Sequence, residues 1–453
     1  MGSNQKKKRY AVVGTGGRVV MFIDPIASDY KNDGEIVGLC DINPKRLEYH
    51  QKRLDEKFGI KNVPTYSVND FDRMLAEQKP DVVIVCTVDA LHDEYIVRSV
   101  EAGCDVISEK PLTTDEKKCN RIMDAVKRTG RSVRVIFNMR WGAPVTKVRE
   151  LILSGVIGNV KSVVLEYMLD TSHGADYFRR WHSDKSQSGG LLVHKSTHHF
   201  DMVNWWINSI PQQVFAYGDL AYYGKKNAIE RGQKELTEYD RYTGKAPDSD
   251  PFKLTMDKDP ALQGLYLNAE KEDGYIRDKN VFREGIDIED TIGALVKYRS
   301  GVTLTYSLTA FCPIEGFRVS INGDGGRLEY VQHYNSHIIK GQDNEELAKE
   351  QGGDGEHQPF KRVTVYPLFK ESYDVVVEDL PGGHGGGDPL LQEQMFSASA
   401  PAETLGRNAG HEQGAASALI GIAANQSIAT GKPVNILDLV NLRPECKDLL
   451  DLK

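Results

Sequence analysis

Arg9-Tyr-Ala-Val-Val13-Gly14-Thr-Gly16-Gly17-Arg18-Val19-Val-Met-Phe-Ile23 is the stretch on which the fold turns. An apolar run of strand character stops at a glycine pair spaced G-x-G. A helix-like stretch, 19–26, follows at once. Glycines at such a junction permit a tight turn and a close approach of backbone to a bound anion. The helix start that follows offers free N–H groups and a positive dipole end. The third glycine usual in this pattern falls at Val19, so the fingerprint is incomplete, while its flanking strand and helix are in place.

Strands expected over 35–40, 82–86, 105–108 and 133–137 alternate with helices over 44–58, 94–102 and 114–127. That alternation predicts a doubly wound parallel α/β sheet with helices on both faces. Asp41 closes the second strand, somewhat beyond the usual spacing of about 20 residues from the glycines. A carboxylate there accepts hydrogen bonds from ribose hydroxyls and repels a 2′-phosphate, so NAD is favoured over NADP. Lys45 and Arg46 follow closely, which leaves dual use open.

After about residue 138 the rhythm changes. Strand-like runs over 161–167, 292–298, 302–308, 317–322 and 362–366 are divided by turns such as Ser300-Gly301. An α+β domain with a mainly antiparallel sheet is expected, giving domains at 1–137 and 138–453. Residues 224–280 read as an excursion from the second domain, and 343–357 as an exposed loop. A helix over 414–432 is expected to pack back toward the first domain. Trp205 and Trp206 read as core.

The chain of 453 residues is 40% hydrophobic and 27% charged, with Lys plus Arg at 57 and Asp plus Glu at 65, a net charge of −8. These values suit a globular protein and disfavour a dedicated nucleic-acid binder, which carries a basic surplus. No apolar run is long enough to span a membrane, and no apolar leader is visible at the start. The six cysteines form no C-x-x-C pair, and three lie in apolar segments, which fits a reducing cytoplasm.

Downstream motifs add to the fingerprint: Thr87-Val-Asp-Ala-Leu-His92, Glu109-Lys110-Pro111-Leu112, Phe137-Asn138-Met-Arg140-Trp141, Gly189-Gly190-Leu-Leu and His198-His199-Phe-Asp201. Together they resemble the Gfo/Idh/MocA family of NAD(P)-dependent oxidoreductases, from about residue 9 to 432 and least clearly across 225–280. The resemblance implies an N-terminal Rossmann domain and a C-terminal domain carrying a large, open, mainly antiparallel sheet. It implies a sugar, sugar-derivative or cyclitol substrate between nicotinamide and that sheet, and a homodimer or homotetramer formed through the sheet. A cis peptide before Pro111 is expected on the same ground. Cofactor contacts are expected from Gly14, Gly16, Gly17, Arg18, Asp41, Thr87, His92, Glu109, Lys110 and Asn138.

Moving hydride from an alcohol carbon requires that the C–H face the nicotinamide and that some group take the hydroxyl proton. Lys110, at the carboxyl end of a parallel strand, can hold the hydroxyl and stabilise alkoxide charge. His198 is the expected general base, since an imidazole titrates near neutrality. His194 stands where the family pattern has an Asp, one helical turn before His198, and can face the same cleft. Lys195, His173, Trp181, His182 and His384 are expected around the substrate. His at i, i+4 can also bind metal, yet no carboxylate sits at a diagnostic spacing, so no metal is assigned.

The surplus of acid–base groups keeps a second reading open: a redox-neutral glycosidase or lyase that retains NAD and works through a 3-keto intermediate. A non-catalytic dinucleotide-binding subunit would be expected to lack Lys110 or His198, and both are present.

Overall fold

The computed structural model describes residues 6–335, 337–338, 360–378, 380 and 383–453, the side chains of 383–385 excepted. The loop expected over 343–357 lies outside these residues.

The first domain is built on β1 (Lys8–Val13), β2 (Gly34–Asp41), β3 (Thr65–Ser67), β4 (Val82–Val85), β5 (Asp105–Ser108) and β6 (Val133–Val135). β4 is Val-Val-Ile-Val with every residue buried, the composition of a strand covered on both faces. The strands pair in parallel in the order β6-β5-β4-β1-β2-β3. That is the order of dinucleotide-binding sheets, and it reverses between β1 and β4, where such sheets hold their ligand. The short β3 escapes a reading based on apolar runs. The helix Pro44–Phe58 starts where expected: Asn43 accepts from Lys45 N, proline occupies the first turn, and Gly59 closes it at φ 70°.

The second domain carries β7 (Val160–Asp170), β8 (Pro211–Asp219), β9 (Thr291–Tyr298), β10 (Thr303–Cys312), β11 (Gly316–Gly323), β12 (Gly326–His333), β13 (Phe360–Pro367) and β14 (Tyr373–Val375). With β16 (Val434–Asn435) they form one sheet, antiparallel except where β7 meets β10. β9 alternates exposed and buried without exception, so one face packs and the other stays open. The buried face takes the helices Ser196–Ile207 and His411–Thr430. Tyr298 Oη donates to Asn204 at 2.8 Å, and Ser427 Oγ accepts from Ala216 N at 3.0 Å. Trp205 and Trp206 are fully buried there.

Two later segments return to the first domain. The helix Gly383–Phe396 lays Leu391, Met395 and Phe396 against Val12, Phe22 and Ile23. β15 (Ala409–Gly410) then pairs antiparallel with β6. The helix expected over 414–432 spans His411–Thr430 and packs against the first domain, on the helix Glu116–Thr129 and on β6, where Gly414 abuts Val135. Farther on, Gly421 presses against the Leu192 backbone within its own domain. The helix Gly383–Phe396 adds a second cover that the sequence reading does not predict.

The excursion runs between β8 and β9. It includes the helix Pro260–Leu265, whose N-cap Asp259 accepts from Ala261 N and Leu262 N. No helix of the described residues is long and apolar enough to cross a membrane.

Candidate active site

The loops after β1, β4 and β5 open on one edge of the parallel sheet. Gly14, at φ 84°, is held against the next strand's exit: a Cβ there would lie 2.5 Å from the Cys86 carbonyl carbon. Only glycine fits this turn. A short 3₁₀ turn, Gly17–Val19, leads into the helix Val20–Ala27. Gly16 and Gly17 face the Tyr266 phenol, whose oxygen accepts from Gly17 N at 3.0 Å.

Asp41 ends β2 and holds this turn, taking Thr15 N at 2.5 Å and Thr15 Oγ1 at 2.9 Å on one oxygen and Asn43 N at 2.8 Å on the other. Arg46 lies 3.4 Å from Asp41 and 2.7 Å from Asp273. The site therefore places two carboxylates around Arg46, an arrangement that suits NAD.

Glu109 lies 2.5 Å from Arg18 Nε and accepts from Lys110 N at 3.1 Å. Burial opposes its charge, but Arg18 and Lys110 outweigh that and hold its carboxyl below the ordinary range. The Lys110–Pro111 peptide is cis, as expected. Lys110 Nζ lies 3.3 Å from His194 Nε2 and 3.1 Å from the His194 carbonyl. His194 Nδ1 in turn lies 2.5 Å from Asp89 Oδ2. Burial brings the Lys110 ammonium down to about 8, although Asp89 and Glu109 pull the other way. Burial also keeps His194 well below its ordinary pKa, with Lys110 adding to the effect, and it raises Asp89 well above. The arrangement that satisfies all three is a neutral imidazole donating from Nδ1 to Asp89 and accepting at Nε2 from Lys110.

Around this trio stands a wall of rings. His182 lies 4.2 Å from the His194 ring and stacks on Trp181 at 3.7 Å. Tyr177 lies 5.6 Å from His194, and its hydroxyl meets His173 Nε2 at 3.0 Å. His173 Nδ1 lies 2.8 and 3.0 Å from the two Glu315 oxygens. Lys195 is nine-tenths buried, its ammonium 4.9 Å from the centre of the Tyr167 ring. His194, Lys195, His173, Trp181 and His182 thus converge with Lys110. His198 lies a turn farther along, its ring 6.2 Å from Phe137. His194 meets the Lys110 ammonium at Nε2.

Two of the expected cofactor contacts, His92 and Asn138, also bond within the protein. His92 is fully buried, with Nδ1 2.8 Å from Pro111 O and Nε2 3.3 Å from Thr87 O, so it braces two loops against each other. Asn138, also buried, donates to Asp388 at 3.1 Å and ties the domain junction to the helix Gly383–Phe396. Gly387, next to Asp388, packs closely on the chain itself: a Cβ there would lie 2.8 Å from Gly142 N. The His384 side chain lies outside the described residues. Thr87 donates to Val88 O at 3.2 Å, beside the Gly14 turn. Among the described residues no group of three or more His, Cys, Asp or Glu side chains could hold a metal.

No role is read from the sequence for Asp89, Glu315 or Tyr266. Asp89 carried a usable signal, since it follows a fully apolar strand at the ligand-binding edge.

A doubly wound nucleotide sheet with a half-buried lysine at its carboxyl edge, facing a ring-lined cleft on a second domain, defines an NAD-dependent oxidoreductase acting on CH–OH. Residues 8–137 match the family described as "Oxidoreductase family, NAD-binding Rossmann fold", and residues 149–436 its "C-terminal alpha/beta domain". The chain belongs to the Gfo/Idh/MocA oxidoreductases. It is 38% identical to YteT of Bacillus subtilis (strain 168) over 437 residues, 93% of this chain and 96% of that one. It is 32% identical to D-glucoside 3-dehydrogenase of Escherichia coli (strain K12) over 155 residues, 34% of this chain and 41% of that one. Among solved structures, aldose-aldose oxidoreductase from Caulobacter crescentus shares the fold at a TM-score of 0.60 and 17% identity, with 95% of this chain and all of that one covered. The WlbA dehydrogenase from Bordetella pertussis, in complex with NADH and UDP-GlcNAcA, does so at 0.61 and 17%, with 96% and 99% covered.

Proposed function

We propose that this protein moves hydride between NAD and a hydroxyl-bearing carbon of a sugar, sugar derivative or cyclitol, with Lys110 as the group that exchanges the hydroxyl proton. The observation that carries this reading is the Lys110–His194–Asp89 chain at the sheet edge, with spacings of 3.3 and 2.5 Å. Bound NAD supplies the hydride acceptor. The protein's part is proton transfer and orientation. Lys110 in its amine form takes the hydroxyl proton, while His194, fixed at Nδ1 by Asp89, accepts a hydrogen bond from the Lys110 nitrogen at Nε2 and orients it in the cleft. Trp181, Tyr177 and His173 offer ring faces and polar edges of the kind carbohydrates present to a protein. The polyol class is supported by relatives named D-glucoside 3-dehydrogenase and inositol 2-dehydrogenase. The test is a screen of free sugars, methyl glycosides and inositols for NADH formation, with Lys110→Ala as the control. Failure of every polyol to reduce NAD, with binding of NAD intact, would overturn the net-redox reading.

A second reading draws on His173 and Glu315, a carboxylate-held imidazole apart from the Lys110 chain. A transient ketone acidifies the neighbouring C–H, and such a pair is suited to remove that proton in a redox-neutral elimination. Aglycone release without accumulation of NADH would select it.

The open sheet face exposes Tyr217, Val164 and Leu295 and is the surface through which a second copy would associate. All six cysteines are free, which supports a reducing cytoplasm as the place of action.

A further inference from the structure

The segment between β8 and β9 does more than decorate the second domain. It crosses to the first and sits on the glycine turn. Tyr266 follows the helix Pro260–Leu265, and its hydroxyl lies 3.0 Å from Gly17 N, the donor that a dinucleotide sheet points at pyrophosphate. The phenol covers both glycines: Cβ atoms built on Gly16 and Gly17 would meet its oxygen at 3.5 and 3.4 Å.

Three anchors hold this segment down. Arg46 donates to Leu265 O at 3.2 Å and pairs with Asp273 at 2.7 Å. Asn43 Nδ2 donates to Ala269 O at 3.0 Å. Gly264 lies flat on the Tyr49 ring, where a Cβ would approach to 2.7 Å. Arg277 grips Asp176 of the second domain at 2.9 Å and lies 5.7 Å from the Tyr266 ring. Both domains are therefore stitched to the same short stretch, across the mouth of the dinucleotide crevice.

We infer that Tyr266 is a protein ligand of the NAD pyrophosphate, and that the segment 256–277 is the outer wall that keeps the dinucleotide bound between turnovers. The inference rests on the NAD reading and adds a contact from the second domain that the sheet alone does not supply. A phenol that accepts from Gly17 N–H still has its own O–H to donate. When a phosphate oxygen takes the Gly17 N–H, a small shift of the ring lets Tyr266 donate to that phosphate. The Arg46–Asp273 pair keeps the wall closed beside the ribose end. Exchange of NAD then requires these anchors to part, which makes release slow.

The test is the rate of NADH release from the full-length protein, followed by loss of bound-NADH fluorescence on mixing with excess NAD. Tyr266→Phe removes one oxygen and keeps the ring. Asp273→Asn loosens the anchor and leaves Tyr266 in place. Both are expected to speed release, Tyr266→Phe about tenfold, the size of one hydrogen bond to a charged group. Equilibrium binding of NAD by the same proteins reports the same loss. An unchanged release rate in both variants, or tighter binding by Tyr266→Phe (the mark of a phenol that merely competes with the cofactor), would overturn the inference. Absence of NAD binding by the unaltered protein would overturn the cofactor reading, a separate outcome.

Discussion

Lys110 Nζ and His194 Nε2 lie 3.3 Å apart, although one closes a strand of the nucleotide domain and the other a short helix of the second. The proton-handling group is thus assembled across the domain junction. Asp89, in the short helical turn after β4, holds His194 from the first domain's side.

Replacing Lys110 by Ala or Met should lower kcat/KM for polyol oxidation by about 10²- to 10⁴-fold, the range for loss of a positioned acid–base group. NAD binding and the thermal midpoint should change little. Steady-state kinetics with a binding titration separate the two effects.

The pH dependence follows from the amine form of Lys110. Its pKa is brought down by burial to about 8. Oxidation needs the unprotonated amine, so kcat/KM should rise with pH and level off above about 8. Reduction of the ketone needs the ammonium and should fall over the same interval. An oxidation profile that is flat from pH 7 to 9 would count against Lys110 as the proton acceptor.

His194→Ala should cost more activity than His198→Ala, because His194 links Lys110 to Asp89. Asp89→Asn should resemble His194→Ala and should displace the pH limb, since it removes a charge that pulls on the Lys110 ammonium. Equal losses for the two histidine variants would return His198 to the leading role.

Arg140 and Asp201 form a fully buried two-point pair, Nε to Oδ2 at 2.7 Å and Nη2 to Oδ1 at 2.6 Å. Asp201→Ala strands the guanidinium and should destabilise the fold by about 3–5 kcal/mol. Denaturant unfolding would show it as a lower midpoint. Asp201 thus has a structural account, as does His199, which is fully buried with Nδ1 2.8 Å from Tyr306 Oη.

Cofactor choice should respond to Asp41 and Asp273 together. The double variant Asp41→Ser, Asp273→Asn releases Arg46 from both carboxylates. NADP should then gain on NAD in kcat/KM by tenfold or more, as expected when an arginine comes free at the ribose. Unchanged preference would place the discrimination elsewhere.

Much of this was legible in the residues. The parallel strands announce themselves as short apolar runs, and Gly14 and Lys110 mark the loops after β1 and β5 by local spacing alone. β8 was missed because Pro211, two exposed glutamines and Gly218 dilute its alternation. The trio was only half visible. Lys110 and His194 stand in motifs, while the bond between them depends on how two domains meet. Tyr266 was hidden for the same reason, since no pattern near position 266 points to Gly17. A histidine after a nucleotide-sheet strand suggests a ligand, and both nitrogens of His92 also serve the loops on either side.

The two residues of β15 cap the edge of the nucleotide sheet beside β6, and the helix Gly383–Phe396 seals one of its apolar faces. During synthesis the ribosome makes the six parallel strands first and these two pieces only after most of the second sheet. Until then β6 is a bare edge and Phe22 and Ile23 lack their cover. The nascent nucleotide domain is therefore exposed to pairing with its neighbours on a polysome, and its maturation waits on the last stretch of chain. A fragment cut at the apparent boundary near 137 would keep that vulnerability permanently.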